Sequence, residues 1–318
     1  MLGSLFLIHY LTSLGIQING DPVQALFGAR QPPESVLNYM RIQFNMDNPC
    51  LRQTGNPCLG LFVDRISNYL QGDFGINFRG QPVADLLERR WPVTLRVVVI
   101  ALITEALIGI GAGVLAGLRK DGAADYTVRF SSTFLVAVPV FVLGVLVQIG
   151  TGVYLGTWLA EQDAPSWLQS IFSTTYDSDA EWLSLLIPGM VLGAFSVASI
   201  SRLTRTSLIE NYRADFVRTA RAKGLTNRRV IGVHTLRNSL IPVVTYLGID
   251  AGFLINGAIV TEGIFNIPGV GGLTFNAATS GAAPVIIAVV TILVLIFLVV
   301  NLLVDVLYGV LDPRIRYE

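Results

Sequence analysis

The chain has 318 residues, of which 52% are hydrophobic and only 14% are charged. Ordinary soluble domains carry about 25% charged residues, so the composition excludes a typical water-soluble fold and predicts an integral membrane protein. The formal net charge is zero, which gives no reason to expect nucleic acid as a partner. Two cysteines exclude a disulfide-dense scaffold and a metal site built from several cysteines.

Long apolar runs predict an all-α, polytopic membrane protein with about six transmembrane helices, because a bilayer core about 30 Å thick requires roughly 20 apolar residues per helix. The first run, residues 1–18, is short and contains His9 and Gln17. A cleaved signal peptide is the alternative, but no Lys or Arg precedes the run and no small-residue cleavage site follows it, which favours a retained helix. The other runs are about Val93 to Leu118, Phe130 to Trp158, Trp182 to Ile200, Ser239 to Thr261 and Pro284 to Val310.

The distribution of Lys and Arg predicts the orientation, because these residues collect in short cytoplasmic loops. Residues 119–129 and 202–238 are rich in them, whereas residues 159–181 and 262–283 contain none. The first two segments are therefore predicted to face the cytoplasm and the other two to face outward. The tail, residues 311–318, carries two Arg, so both termini are predicted to be cytoplasmic. Residues 91–310 then form the membrane core.

Residues 19–90 are predicted to form a small extracytoplasmic domain between the first two helices. The segment is longer than the roughly 60 residues over which the charge rule holds. Both cysteines, Cys50 and Cys58, lie in it. An exported location favours oxidation, and the spacing closes a short loop, so a disulfide is predicted. Two free thiols are the alternative.

The basic segment, residues 202–238, has the pattern of a helix, a glycine turn and a second helix. Asp215 is predicted to cap a short helix that ends at Lys223, with its acid at the positive end of the helix dipole. Gly224 is predicted to end that helix in a left-handed conformation, and Thr226 to cap the second helix. Such a short amphipathic helix suits docking into a groove of a cytoplasmic protein. A helix that lies flat on anionic lipid is the alternative.

The run Arg218-Thr219-Ala220-Arg221-Ala222-Lys223-Gly224 resembles the EAA loop of ABC-importer permeases. The longer pattern D-F-V-R-T-A-R-A-K-G-L, followed by H-T-L-R-N-S-L-I-P, resembles the dipeptide and oligopeptide branch in particular. Arg218, Thr219, His234 and Arg237 depart from the general motif, and the family usually has an Arg-bearing segment before the first span. Other similar segments are Gly20-Asp21-Pro22-Val23, Gly72-Asp73-Phe74-Gly75, Arg202-Leu203-Thr204-Arg205, Glu262-Gly263-Ile264-Phe265 and Pro268-Gly269-Val270-Gly271.

The resemblance implies a type I ABC-importer permease of the bacterial plasma membrane. Such a permease pairs with a second, similar permease, with two ATPase subunits or one fused ATPase, and with an extracytoplasmic substrate-binding protein. ATP and Mg would be bound by the ATPases, and this chain would bind no cofactor or metal. The helix from Asp215 onward would be the coupling helix, ending at Gly224. Its apolar residues would fill a groove of the ATPase and its Arg would pair with acids on the rim: Phe216, Val217 and Ala220, and Arg218 and Arg221.

Polar residues inside the predicted spans are further candidate site residues. Charges at membrane depth are expensive and usually face the protein interior or water. Asp250, Asn256 and Glu105 are therefore predicted either to line the translocation path or to hold helices together. Glu105 precedes Gly109 and Gly113, and such small residues indicate a close helix contact.

The outward segment that begins at Glu262 is rich in glycine and is predicted to contact the binding protein through Glu262, Phe265, Pro268 and Gly269. An ordinary hairpin connection is the alternative.

Two other function classes compete with an ABC permease. An ion-coupled carrier would use the same buried acids, but it would not need the ordered basic segment, and no inverted repeat is visible. An enzyme is disfavoured because the chain lacks a phosphate-binding loop and the common hydrolase motifs. The cargo is left open between dipeptide, longer peptide, glutathione, haem and a nickel chelate.

Overall fold

The computed structural model describes residues 2–27, 30–173 and 175–311, without the side chains of Leu2, Asp305 and residues 307–311. Helices make up 79% of the chain and the described residues contain no β-strand, which confirms the all-α fold class. The predicted cytoplasmic tail, which includes Arg314 and Arg316, lies outside the described residues. Residues up to 93 together with 268–299 form one compact unit, and residues 94–267 with those from 300 onward form a second.

The helices follow one another with short connections. In the first part of the chain they are α1 (Leu2–Asn19), α2 (Pro22–Ala25), α3 (Glu34–Gln43), a 3₁₀ turn (Pro49–Arg52), α4 (Leu59–Leu70), α5 (Val83–Thr104), a π-helical turn (Glu105–Gly109) and α6 (Ile110–Leu118). The middle contains α7 (Ala123–Ala137), α8 (Val140–Val147), a π-helical segment (Gln148–Leu155), α9 (Gly156–Glu161), α10 (Ser166–Ile171), α11 (Glu181–Ser184) and α12 (Leu186–Tyr212). The last part contains α13 (Asp215–Ala222), α14 (Asn227–Arg229), a π-helical turn (Val230–Thr235), α15 (Leu236–Ser239), α16 (Ile241–Ile264), α17 (Val270–Ser280) and α18 (Ala283–Leu311).

Five of the described helices are long and apolar enough to cross a membrane. They span Val83–Leu118, Val140–Glu161, Leu186–Tyr212, Ile241–Ile264 and Ala283–Val304. Each contains most of one predicted run. The 18-residue α1 is not among the five, so the first span stays a prediction.

Two predicted boundaries are wrong. The run from Phe130 to Trp158 is two helices, because Pro139 disfavours a helical conformation at the residue before it, and Val138 is extended with ψ 124°. The helix predicted to begin at about Val93 begins at Val83 instead. Its first turns carry polar residues, so the apolar run in the sequence begins about ten residues after the helix does. The segment that runs from the last residue of α1 to the residue before α5 is therefore 19–82, called the disulfide region below.

The disulfide region has an apolar core of its own. Its buried side chains include Val23, Leu37 and Leu51, which pack with Ile287 from the same compact unit. The structure joins Cys50 and Cys58 in a disulfide with a Cα–Cα distance of 5.6 Å. Apolar burial and a covalent link thus act on the same few turns.

A buried guanidinium ties the first turns of the disulfide region together. The Arg41 side chain is nearly buried and donates to Asp21 at 2.5 Å and to Glu34 at 2.8 Å. Asp21 also accepts a hydrogen bond from the backbone N–H of Val23 and so caps α2. One acid therefore both begins a helix and binds the cation of the next one.

Two polar side chains of α1, Gln17 and His9, contact the disulfide loop. The Gln17 amide donates to the carbonyl oxygens of Cys50 and Asn56 at 3.1 and 3.0 Å, and its oxygen accepts from the Gly55 N–H at 2.9 Å. His9 Nε2 lies 3.2 Å from the Cys58 carbonyl oxygen. Both side chains thus satisfy backbone groups of the disulfide loop.

In the second unit, the helix ending at Leu118 packs tightly along α12. A Cβ atom on Gly109 would lie 2.8 Å from Ile200 Cγ2, and one on Gly113 would lie 2.6 Å from the Ser201 carbonyl oxygen. Only glycine permits this approach. The residue numbers of the contacting pairs increase along both helices in the same direction, so the two helices run parallel. The predicted orientation requires this of the second and fourth spans.

Candidate coupling segment and membrane acids

The basic segment begins on α12, which continues past the apolar part of its span. Arg205 on this extension binds Asp125, at the start of α7, through two hydrogen bonds of 2.5 and 2.7 Å. Asp125 is fully buried and also accepts from the backbone N–H of Asp121. The Arg205 guanidinium and that N–H lower the pKa of Asp125 from 3.8 to about 2, so the acid is charged at neutral pH. This ion pair links α12 to α7 near the start of the basic segment.

Helix α13 follows immediately and has the length that the sequence predicts. Ala214, not Asp215, occupies the N-cap position, and no side chain caps this end. The prediction that Asp215 caps the helix is therefore wrong, since the acid lies inside the first turn and its carboxylate instead accepts from Arg218 at 3.3 Å. It still stands at the positive end of the helix dipole. Gly224 has φ +76°, as predicted for the left-handed residue that ends such a helix.

The apolar residues of α13 divide into an internal pair and an exposed one. Val217 and Ala220 are buried and pack with Val230 and Leu225 from the second half of the hairpin. Phe216 is 40% exposed. The prediction that all three fill a partner's groove therefore needs correction: two of them hold the hairpin together, because the second helix covers their face.

The second half of the hairpin returns to the membrane helices. Thr226 takes the predicted N-cap position of α14, although its side chain makes no capping hydrogen bond. The chain then passes through the π-helical turn, in which the Thr235 hydroxyl donates to the Val230 carbonyl oxygen at 3.0 Å. The Ser239 hydroxyl contacts the Ser207 carbonyl oxygen of α12 at 3.3 Å. These bonds bring both ends of the hairpin to the same helix.

The charged side chains of α13 are directed away from this small core. The Asp215 and Arg218 side chains are 95% and 79% exposed, respectively. The guanidinium of Arg221 lies over the Tyr212 ring, 4.4 Å from its centroid, in a cation–π contact. The hairpin thus presents Phe216 and a set of cations on its outside.

Two of the three predicted path residues are enclosed by helices of this chain. Glu105 lies in the π-helical turn, is fully buried, and stands beside Asp250 and Ser196. Asp250 is 8% exposed. Burial between helices agrees with the alternative stated above, in which these acids hold helices together, and their role in the path stays a prediction. Asn256 is half-buried, and its amide donates to the Gly252 carbonyl oxygen at 3.3 Å.

The four residues predicted to contact a binding protein differ in exposure. Glu262, Phe265 and Gly269 are buried, whereas Pro268 is exposed. The Gly269 carbonyl oxygen accepts from Arg90 at 3.4 Å. The prediction of a contact surface is therefore wrong for the three buried residues, because this turn uses them for internal packing.

Comparison with known proteins identifies the class to which these features belong. The family model described as "Binding-protein-dependent transport system inner membrane component" matches residues 109–317. The chain belongs to this family. The glutathione transport system permease protein GsiC of Escherichia coli strain K12 is 34% identical over 323 residues, covering 100% of this chain and 96% of the relative. The proteins of that name from Shigella dysenteriae serotype 1 and Shigella flexneri serotype 5b have the same identity and coverage.

The match confirms the resemblance to ABC-importer permeases of the dipeptide and oligopeptide type. The protein is a multi-pass membrane component of a transport system that works with an ATPase and a substrate-binding protein. The family match includes the whole basic segment and begins after the disulfide region.

Some residues of this permease were missed by sequence reasoning. Asp125 and Tyr212 carried no motif, and Arg205 was counted only as one of several loop cations. Asp125 and Arg205 are 80 residues apart in the sequence. Tyr212 lies on α12, whereas its partner Arg221 lies on the next helix, α13. The single available signal was the Arg202-Leu203-Thr204-Arg205 segment shared with the family.

Proposed function

We propose that this permease forms half of the translocation path of an ATP-driven peptide importer, with a second, similar permease supplying the other half. The pair of permeases would work with two ATPase subunits, or one fused ATPase, and one ATPase would bind at the basic segment of this chain. The observation that carries the proposal is the hairpin at the end of α12, which has an internal core and an exposed Phe216 surrounded by cations.

In this proposal α13 is the coupling helix. Phe216 would enter an apolar groove of the ATPase, and Arg218 and Arg221 would pair with acids on its rim. Val217 and Ala220 would keep the helix attached to the hairpin while it moves. Gly224 would permit the reversal of the chain, since its φ of +76° is unfavourable for other residues.

The basic segment and both termini would be cytoplasmic, and the disulfide region would be exported, in the bacterial plasma membrane. The loop charges support this orientation. The oxidised Cys50–Cys58 pair supports it as well, because disulfides persist in oxidising compartments. The binding protein would approach from that side, and Pro268 is the exposed candidate for its contact.

Within the membrane, Asn256 is the candidate for the path, since its polar side chain is only half-buried among the described residues. ATP and Mg would be held by the partner ATPases, so this chain would perform no catalysis and bind no cofactor. Lipid would surround it, and no nucleic acid is expected.

The proposed cargo is a short peptide. The relatives named above are glutathione permeases, and glutathione is itself a tripeptide, so it joins dipeptides and longer peptides among the candidates. The path would bind the peptide backbone with little selectivity, and the binding protein would select the cargo.

Co-purification and ATPase assays test the assembly. The full chain, expressed with its partner permease, ATPases and binding protein, is expected to co-purify with the ATPases and to hydrolyse ATP faster when the binding protein carries peptide. Gly224→Val is expected to lower cargo-stimulated hydrolysis several-fold. Its matched control is Gly232→Val, since a Cβ at either glycine meets nothing within 4 Å but only Gly224 has a positive φ.

Two outcomes would contradict the proposal. Equal coupling in the two glycine variants would remove the role of the turn. Transport by the purified chain without any ATPase would instead establish an ion-coupled carrier. Cargo is resolved separately, by comparing labelled glutathione, a dipeptide and a longer peptide in the same vesicles, each with its cognate binding protein.

A further inference from the structure

A cavity of about 610 Å³ lies where α6 and α12 end and α13 begins. Four cations from three different elements line it: Lys120, Arg213, Arg218 and Arg221. Among the described residues that line this cavity, none is acidic. So many cations around one concave space repel one another unless an anion lies between them.

The acids near these cations leave much of the charge uncompensated. Asp121 lies 3.9 Å from Lys120, and Asp215 lies 3.3 Å from Arg218. Both acids belong to exposed pairs at the rim and not to the lining, so solvent screens them strongly. For Arg213 and Arg221, the described residues supply no ion pair.

Apart from these cations, the side chains that line the cavity are mainly apolar. Leu118, Leu208 and Ile231 line it together with the ring of Tyr212. Tyr212 holds the guanidinium of Arg221 in place through the cation–π contact. A site with fixed cations and apolar walls fits a ligand that carries an anionic group on an apolar body.

The position of the cavity identifies which such ligand is available. Gly117 packs against Leu208, so the ends of α6 and α12 lie at the same level. Both helices belong to candidate membrane spans, and these spans end at this level, at Leu118 and Tyr212. Lipid headgroups occupy that level, and basic pockets at helix ends bind anionic headgroups.

We propose that this cavity binds the headgroup of an anionic phospholipid through Lys120 and Arg213, with the lipid's glycerol and upper acyl chain against Leu118, Leu208 and Ile231. Arg218 and Arg221, which belong to α13, stay available to the acids of the ATPase. An acidic segment of the ATPase is the other candidate occupant. The lipid is favoured because Lys120 and Arg213 follow the membrane helices α6 and α12 and do not belong to α13. It is also favoured because Leu118, Leu208 and Ile231 line the concave space, whereas Phe216 lies outside the lining. The proposal depends on the level of the membrane surface and not on ATPase docking.

Native mass spectrometry of the full-length chain in detergent tests the site. The probes are phosphatidylglycerol and phosphatidylcholine with identical acyl chains. The wild-type chain is expected to prefer phosphatidylglycerol, and K120Q/R213Q is expected to bind it about 25-fold more weakly, since each of the two removed cations contributes about fivefold near the headgroups. The matched control is R228Q/R229Q, which removes two exposed cations of the same segment that do not line the cavity.

Each arm has a defined outcome. Loss of the preference in K120Q/R213Q, with its retention in R228Q/R229Q and in the charge-conserving K120R/R213K, supports the lipid site. Equal loss in both neutralised variants would overturn it, since general surface charge would then explain the binding. Displacement of phosphatidylglycerol by millimolar inorganic phosphate would also overturn it, because the site would then select a free anion.

The ATPase alternative has its own readout. If K120Q/R213Q keeps the lipid preference but no longer co-purifies with the ATPases, the cavity receives the ATPase and the lipid proposal is wrong. The proposed importer function fails in a different assay, through loss of cargo-stimulated hydrolysis in the wild-type complex, so the two failures are distinguishable.

Discussion

The disulfide region and the basic segment are both compact turns attached to membrane helices, but they are stabilised differently. The disulfide region supplies seven buried residues to its core, and it has a covalent link and a nearly buried cation bound to two acids. The hairpin of the basic segment has three buried core residues, with Leu225 packed against them. Its charges are largely exposed. The disulfide region is therefore expected to be rigid, and the hairpin of the basic segment to be less stable.

This difference matches what each region is proposed to do. An exported element that cannot bury much apolar area gains a fixed form from a disulfide. A coupling helix must move with a partner, and a small core allows it to shift without unfolding the membrane helices. The Asp125–Arg205 pair marks the boundary, because it fixes α12 just before the hairpin begins.

The largest effect is expected where the basic segment meets this boundary. Arg205→Met would leave the buried Asp125 carboxylate without its guanidinium and should lower the free energy of unfolding by about 3–5 kcal/mol. Thermal unfolding of the purified chain in detergent measures it. A loss below about 1 kcal/mol would show that the boundary is not fixed by this pair.

The same pair predicts a pH dependence. The folded pKa of Asp125, about 2, lies below its ordinary value of 3.8, so its stabilisation is complete above about pH 4 and is lost as the pH falls toward 2. Asp125→Asn should flatten this part of the stability curve. An unchanged curve would mean that other acids govern the acid limb.

The disulfide should contribute the next largest effect. A C50S/C58S variant loses a link between residues separated by eight positions, which corresponds to about 2–3 kcal/mol from loop entropy. Limited proteolysis within residues 19–82 measures the opening of the region. A reductant should open the wild-type chain to the same degree and leave the variant unaffected; protection that survives both treatments would contradict the comparison.

Val217→Ala should have a smaller and more local effect. Removing two methyl groups from a core of this size should cost about 1–2 kcal/mol, and only within the hairpin. Hydrogen exchange of the amides from 215 to 235 should accelerate roughly tenfold, while residues 19–82 remain unchanged. Global destabilisation would show that the hairpin is not a separate, lightly held element.

The smallest effect on stability is expected from the exposed residues of α13. Phe216→Ala and Arg218→Met should each change the free energy of unfolding by less than about 1 kcal/mol, since both side chains are substantially exposed. Both should nevertheless lower cargo-stimulated ATP hydrolysis several-fold. If they leave hydrolysis unchanged while Val217→Ala abolishes it without altering hydrogen exchange, the assignment of internal and external residues is reversed.

Local signals allowed much of this structure to be predicted from sequence. Apolar length located five spans, and the left-handed Gly224 followed from a helix that ends in a cation and a glycine. Chain order within the basic segment also followed, because each helix there is defined by residues within one or two turns.

The remaining features depend on contacts between distant residues. An apolar face on α13 reads the same whether a partner or the chain's own Val230 covers it. Hydropathy likewise cannot tell an acid that lines a path from one between packed helices, although Gly109 and Gly113 after Glu105 were a usable signal. Only the folded chain shows that Asp125 and Arg205 meet.

The glycine contacts between the helix ending at Leu118 and α12 have a mechanical consequence. Backbones that lie this close leave no space for lipid or water, and neither helix slides past the other without a clash. The 27 residues of α12 therefore behave with their neighbour as one stiff strut about 40 Å long. If the hairpin moves by a few ångströms, the opposite end of the two helices should move by almost the same distance. A movement at one membrane face would therefore be transmitted to the other.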